Sequence, residues 1–270
     1  MELQTKVKIQ KATFCINPQD RILFVGSCFA ENIGRRFRDN KFRATVNPYG
    51  TMYNPASVLH TIEKYIGTGT PSKGSGEGTD VVVITLGTNH VYIENATGEI
   101  VDNCQKRPQS LFTEKELTVD ECAEYLQRAI DIIKGANPSA HVILTVSPIR
   151  YAKYGYHESQ LSKATLLLAV EKVEGAYFPS YEIVMDELRD YRFYKEDMLH
   201  PSEQAVDYIY ERFKEVFFSE EAYAMEAEWQ PIFKALNHRV FNPENEDSKK
   251  FLIKTMQKLD TFRKKWKLDD

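Results

Sequence analysis

Short apolar runs along the chain predict its buried strands. The runs at Arg21–Gly26, 80–86 and His141–Val146 are almost wholly aliphatic, and many of their residues are β-branched. Apolar runs without polar alternation are typical of strands buried on both faces, as in a parallel sheet covered by helices. A weaker run at 181–185 predicts a fourth strand.

Helical periodicity fills the segments between these runs. The predicted helices are 29–39, 55–66, one from Thr118 to about 134, 160–173 and 202–217. Thr118 and Glu121 have the spacing of a capping box, which supports a helix start at that point. Strands that alternate with helices predict βαβ units and a mostly parallel central sheet.

Two insertions interrupt this alternation. Segment 67–79 is rich in glycine, serine and threonine and is predicted to be a surface loop. It lacks the Gly-Lys-Ser/Thr ending of a phosphate-binding loop, so we do not expect it to bind a nucleotide. Segment 91–101 has two extended runs around a turn at 95–98, which predicts a β-hairpin.

Composition excludes several classes of protein. The chain has 270 residues, 27% of them charged, and a formal net charge of −4, so a nucleic-acid partner is not expected. No apolar run is long enough to span a membrane, and the first residues do not resemble a secretory signal. The four cysteines are scattered and have no metal-ligand spacing. We therefore expect a cytoplasmic protein with reduced cysteines and no metal or organic cofactor.

The last fifty residues differ from the rest of the chain. Residues 1–219 are predicted to form the α/β domain, and residues 220–270 are predicted to be a helical extension packed on it. Segment 251–266 is amphipathic and basic, but acidic residues such as Asp260 interrupt its basic face. Packing on the domain, or contact between copies of the chain, is therefore favoured over membrane binding.

Ser27 is the first candidate for chemistry. It stands between the first predicted strand and the helix that follows, and ligands of open α/β sheets bind beyond the carboxyl ends of the strands. The N–H groups of a helix N-terminus also favour developing negative charge there. Serine is equally common as a helix N-cap, so this segment alone leaves both roles open.

Asp197 and His200 are the candidates for an acid–base pair. They lie three residues apart, just before the last predicted helix of the α/β domain, so one turn can place both side chains on the same side. The carboxylate could then orient the imidazole and stabilise its cation. An exposed loop pair without function has the same spacing, so the motif is weak in isolation.

Together these segments resemble a known family. The chain resembles the GSCFA family of the SGNH/GDSL hydrolases at Gly26-Ser27-Cys28-Phe29-Ala30 and at Asp197-Met198-Leu199-His200-Pro201. The other matching motifs are Asn47-Pro48-Tyr49-Gly50, Tyr53-Asn54-Pro55, Leu86-Gly87-Thr88, Asn103-Cys104, Ser147-Pro148-Ile149-Arg150 and Ser162-Lys163. The resemblance covers roughly residues 20 to 217. It implies an SGNH/flavodoxin-like, three-layer α/β/α sandwich.

The resemblance also implies a mechanism. Ser27 would be the nucleophile of a serine esterase, and Asp197 and His200 would complete its triad. The oxyanion hole would consist of the Ser27 N–H, the Gly50 N–H and the Asn89 amide. The implied substrate is a small acyl ester, with an acetyl ester of a carbohydrate as the first expectation.

Several alternatives remain open at this point. An O-acyltransferase could use the same triad, and a silent carbohydrate-binding module or a scaffold acting through its C-terminal helices would need no triad. His90 and Arg150 could contact substrate, but structural roles suit both equally well. Cys28 is expected to point back into the domain as the helix begins, which disfavours it as the nucleophile.

Overall fold

A computed structural model describes residues 5–67, 78–238 and 245–268 of the chain. Its strands are β1 (Arg21–Gly26), β2 (Arg43–Val46), β3 (Val81–Leu86), β4 (His90–Glu94), β5 (Ile100–Val101), β6 (Phe112–Glu116), β7 (His141–Val146) and β8 (Ala176–Tyr177). Five of them form a parallel sheet in the order β2-β1-β3-β7-β8. The three strongest apolar runs are therefore the three central strands of the sheet.

Helices cover both faces of this sheet. They are α1 (Cys28–Asp39), α2 (Pro55–Gly67), α3 (Val119–Ala136), α4 (Tyr156–Val170), α5 (Ser180–Glu182), α6 (Glu203–Phe217), α7 (Glu220–Leu236) and α8 (Glu246–Trp266). The capping box predicted for Thr118 and Glu121 is present at the start of α3. Ser202 caps α6, one residue before the helix begins.

The core has two halves, one on each side of the sheet. Successive strand residues point to opposite faces, so Phe24 and Val83 pack with α1 and α6. Val25 and Ile84 pack with α2, α3 and α4 on the other side. Burial on both faces explains why the central strands are continuously apolar, and the predicted three-layer α/β/α architecture is confirmed.

The predicted hairpin at 91–101 is also confirmed. β4 pairs with β5 across the turn, and β6 adds a third strand on the other side of β4. The three strands form a separate antiparallel sheet. Most of the loop predicted at 67–79 lies outside the described residues.

The strand predicted at 181–185 is wrong. The chain is helical there: α5 continues into a π-helical segment, Ile183–Leu188, whose buried Ile183 and Val184 join the first half of the core. A five-residue apolar run cannot distinguish a buried strand from one buried face of a helix. The fifth strand of the sheet is instead the two-residue β8, too short to give a pattern.

The last two helices pack on the α/β layers. Trp229 of α7 is 2% exposed, and its Nε1 donates to the backbone oxygen of Asp39 at 2.6 Å. Leu259 and Phe262 of α8 are buried in the same half of the core. No helix in the described ranges is both long and apolar enough to cross a membrane.

Candidate active site

The order of the strands places a crevice between β1 and β3. The chain runs from β1 to one neighbour, β2, and later returns to the other, β3, so the two connections diverge at their carboxyl ends. Such a switch point is where ligands bind in open α/β sheets. Gly26 ends β1 at φ +136°, and a Cβ there would lie 2.0 Å from the Thr85 oxygen. Only glycine allows the two strands to approach so closely.

Ser27 follows this glycine and faces the sheet. Its Oγ lies 3.0 Å from Thr85 Oγ1 and accepts the Phe29 N–H at 3.2 Å, which makes Ser27 the N-cap of α1. Its own N–H donates to the Thr85 backbone oxygen at 3.0 Å. Ser27 is 0% exposed. Within the described part of the chain, no hydrogen bond joins Ser27 to His200.

Cys28 is the more exposed of the two neighbours. We predicted that it points back into the domain, and the structure corrects this: Ser27 is fully buried, whereas Cys28 is half-buried. Burial raises the pKa of the Cys28 thiol. The N–H groups of Cys28 and Phe29, together with Lys163 and Lys195, lower it. The thiol therefore lies between two lysines, one of which precedes the His200 turn.

Asp197 and His200 form a hydrogen-bonded pair, as the spacing predicts. His200 Nδ1 lies 2.6 Å from Asp197 Oδ2. The other carboxylate oxygen accepts the N–H of Leu199 at 2.8 Å and that of His200 at 2.9 Å. These contacts, led by the His200 N–H, lower the pKa of Asp197 to about 2. Asp197 is therefore an anion at neutral pH and orients the imidazole.

Arg150 holds the turn that carries this pair. Its backbone N–H donates to the Leu199 oxygen at 3.1 Å, and its Nη1 donates to the Met198 oxygen at 2.9 Å. The guanidinium also stacks over the Tyr156 ring at 4.2 Å. Because Arg150 follows β7, these bonds attach the Asp197–His200 turn to the carboxyl edge of the central sheet. Arg150 thus has a structural role, one of the two interpretations left open.

The predicted oxyanion donors are occupied by protein acceptors. Gly50 lies at φ +96° in a tight turn, where its N–H donates to the Asn47 oxygen at 2.9 Å. Asn89 is buried, and its Nδ2 donates to the Leu117 oxygen at 2.8 Å. This bond ties Asn89 to the connection between β6 and α3. The structure does not bring the Asn89 amide together with the Ser27 N–H.

His90 belongs to the antiparallel sheet. Its Nδ1 lies 3.1 Å from Glu114 Oε1, and its ring stacks on Tyr154 with centroids 3.8 Å apart. The side chain is buried by these contacts. The structural interpretation of His90 is therefore the one that the contacts support.

A second surface pair resembles Asp197–His200 in its geometry. His60 Nδ1 lies 2.8 Å from Asp102 Oδ1, and both side chains are about as exposed as those of the first pair. His60 lies within α2 and Asp102 follows β5, so this pair is not at the carboxyl edge of the central sheet. In residues 5–67, 78–238 and 245–268, no three His, Cys, Asp or Glu side chains are grouped to hold a metal ion.

Lys163 and Tyr151 were not predicted to belong to the site. Lys163 is 2% exposed, and its Nζ donates to the Gly87 oxygen at 2.6 Å and the Ser147 oxygen at 2.8 Å. Burial lowers the pKa of Lys163 to about 7. Tyr151 Oη is buried and has no hydrogen-bond partner in the described residues. The spacing of Lys163 from Leu166, on the buried face of α4, was the available signal.

Solved structures with related folds are esterases and a lipase-like protein. A family 3 carbohydrate esterase from Clostridium thermocellum is 14% identical, with a TM-score of 0.41, over 73% of this chain and 94% of its own. A family 3 carbohydrate esterase from Talaromyces cellulolyticus is 11% identical, with a TM-score of 0.39, over 72% and 94%. A protein from Parabacteroides merdae described as a GDSL-like lipase is 12% identical, with a TM-score of 0.46, over 75% and 99%.

The sequence itself matches two family profiles. A comparison with curated proteins finds no match. The profile of the GSCFA C-terminal domain matches residues 229–269. The profile of the GSCFA family matches residues 21–75 and 71–213, which is most of the α/β layers. The chain belongs to the GSCFA family.

Proposed function

We propose that this protein hydrolyses a small acyl ester by covalent catalysis, with Asp197 and His200 as its acid–base pair. The observation that carries the proposal is the 2.6 Å contact between His200 Nδ1 and Asp197 Oδ2, on a turn bound to the carboxyl edge of the sheet. The substrate class that the family resemblance implies is an acetyl ester, with a carbohydrate as the alcohol.

The pair has the requirements of a general base. Two backbone N–H groups hold the Asp197 carboxylate, and its lowered pKa keeps it charged at neutral pH. The carboxylate accepts the Nδ1 proton, which leaves Nε2 of a neutral imidazole as the atom that takes a proton. The same nitrogen then protonates the leaving alcohol.

Ser27 is the nucleophile that the sequence predicts. Its position at the N-terminus of α1 supports this role, because the N–H groups of a first turn favour negative charge. Its hydroxyl would first exchange its bond to Thr85 for one to His200. Attack on the carbonyl carbon would then give an acyl-enzyme, which water would hydrolyse through the same base.

The oxyanion hole would need a similar exchange. The Gly50 N–H and the Asn89 amide now donate to Asn47 and Leu117, so each would have to turn toward the substrate oxygen. One correctly placed donor is worth about 3 kcal/mol in the transition state, which exceeds a typical hydrogen bond of about 1 kcal/mol.

The test is hydrolysis of p-nitrophenyl acetate by the full chain and by His200→Ala. We expect the rate to fall by a factor on the order of 10³ or more, because the base is lost. The matched control is His60→Ala, which removes an equally exposed imidazole that is also paired with an aspartate. Equal rates for His200→Ala and the unaltered protein would contradict the proposal.

A further inference from the structure

The two neighbours in the β1–α1 turn have divided their roles. Ser27 is 0% exposed, and its hydroxyl is shared between Thr85 Oγ1 and the Phe29 N–H. Cys28 is the first residue of α1 and is half-buried. An N-cap side chain folds back over the first turn to accept its N–H groups, so the next side chain is the one that leaves the turn. The group that a substrate can reach is therefore sulfur.

The surroundings of Cys28 are those of a reactive thiol. Its sulfur interacts with the N–H groups of Cys28 and Phe29 and with the charges of Lys163 and Lys195. Helix N-termini and nearby cations both stabilise a thiolate. Lys195 also connects the thiol to the base, because its backbone N–H donates to the His200 oxygen at 2.7 Å.

Tyr151 supplies an independent sign that something binds beside this thiol. Its phenol interacts electrostatically with Cys28 and Tyr53, and Lys163 Nζ lies 5.0 Å from the centre of its ring. Its buried Oη has no partner in the described residues. Burial raises the pKa of Tyr151 well above 10, so the hydroxyl keeps its proton and can donate it. A buried donor without an acceptor is costly and suits a ligand oxygen.

Glycine at position 87 makes room for this hydroxyl. A Cβ on Gly87 would lie 2.2 Å from Tyr151 Oη. The Gly87 N–H is bonded to the Tyr53 oxygen at 2.8 Å, so the end of β3, Tyr53 and Tyr151 form one wall. Tyr53 is 40% exposed, which gives this wall a solvent-facing side.

We infer that Cys28 Sγ, and not Ser27 Oγ, is the attacking atom, with Tyr151 Oη as a donor to the carbonyl oxygen of the ester. This inference rests on the proposed function, because it names the nucleophile of that same site. It also removes the need to break the bond between Ser27 and Thr85 in every turnover.

The reaction balances without an oxidant or a metal. His200 Nε2 takes the thiol proton as the S–C bond forms and the carbonyl oxygen becomes an oxyanion. The oxyanion collapses, the bond to the alcohol oxygen breaks, and the alcohol leaves with the proton from His200. Water then attacks the Cys28 thioester and gives its proton to His200. The C–S bond breaks, the acid is released, and the thiol recovers its proton.

The experiment identifies the acylated atom. The full chain is mixed with p-nitrophenyl acetate, quenched with acid and digested, and the acetylated residue is located by mass spectrometry. We expect acetyl on Cys28, removed by hydroxylamine at neutral pH, which cleaves a thioester and spares an oxygen ester. The same adduct is expected in Ser27→Ala. Cys28→Ala should lose the adduct and slow turnover by a factor on the order of 10³.

Cys104→Ala is the matched control. Cys104 is also a half-buried free thiol but lies in the loop after β5, so its removal should leave both readouts unchanged. Acetyl on Ser27 that resists neutral hydroxylamine, or full activity of Cys28→Ala, would overturn the inference and leave the proposed esterase standing. A protein that neither turns over the ester nor acquires an adduct in this turn would overturn both.

Discussion

Ser27 Oγ lies 3.0 Å from Thr85 Oγ1, at the point where β1 and β3 end side by side. The Ser27 N–H donates to Thr85 as well, at 3.0 Å to the backbone oxygen and 3.0 Å to Oγ1. Thr85 is buried with it. These bonds join the first turn of α1 to the neighbouring strand, so Ser27 stabilises the turn whatever its chemical role.

Ser27→Ala should therefore lower the free energy of unfolding by about 1–3 kcal/mol, through a lost cap and an unpaired Thr85 hydroxyl. Ser202→Ala is the matched control. Ser202 caps α6 through the Ala205 N–H at 3.2 Å and is more exposed, so about 1 kcal/mol is expected. Urea unfolding of both variants measures the difference, and equal losses would count against the Thr85 contribution.

Asp197→Asn should slow ester hydrolysis and leave the fold intact. An asparagine keeps the shape but removes the charge that stabilises the imidazolium, and it can hold the wrong tautomer of His200. We expect a decrease in kcat of about 10²- to 10⁴-fold. Asp102→Asn, at the second imidazole–carboxylate pair, is expected to have no effect on kcat. A similar decrease in both variants would show that the His200 pair has no special role.

The stability of the protein should depend on pH through Lys163. Burial lowers the pKa of this lysine to about 7, against 10.5 in an unfolded chain. Between these values the unfolded chain binds a proton that the folded protein lacks, so the free energy of unfolding rises with pH. The slope from this one group is at most about 1.4 kcal/mol per pH unit.

Lys163→Met tests this dependence. The variant should be less stable, because the Gly87 and Ser147 oxygens lose their donor, but its stability should rise less with pH than that of the unaltered protein. Urea unfolding at about pH 7 and about pH 10 gives the difference. Lys8→Met, at an exposed lysine, should keep the original slope. The same slope in Lys163→Met would contradict the lowered pKa.

Trp229→Ala should destabilise the α/β layers, although it lies in α7. The indole is buried against α8, with 5.3 Å between its ring centroid and that of Phe262, and it also bonds to Asp39. Emptying such a site costs about 3–5 kcal/mol. Phe233→Ala, on the same helix but 37% exposed, should cost on the order of 1 kcal/mol. Thermal unfolding in one transition, shifted down in Trp229→Ala, is the expected result.

Much of this protein follows from its local sequence. The runs at Arg21–Gly26 and His141–Val146 have the bounds of β1 and β7, because continuous burial on two faces demands continuous apolar residues. The Thr118 capping box and the 91–101 hairpin depend on neighbours within a few residues, and both are present. The spacing of Asp197 and His200 placed them on one side of a turn for the same reason.

Other features depended on residues far apart in the chain. Nothing near Asn89 in sequence indicates that its amide bonds to Leu117, and nothing near Ser27 indicates that Thr85 takes its hydroxyl. Lys163 has its partners at residues 87 and 147, which meet only when β3 and β7 pair. The sequence by itself determined the parallel sheet, its central strands and the imidazole–carboxylate pair, since periodicity and short-range geometry specify them. Only the tertiary structure decided which residue of the Ser27–Cys28 turn is buried, because the register of two strands distant in sequence sets the partner of each side chain.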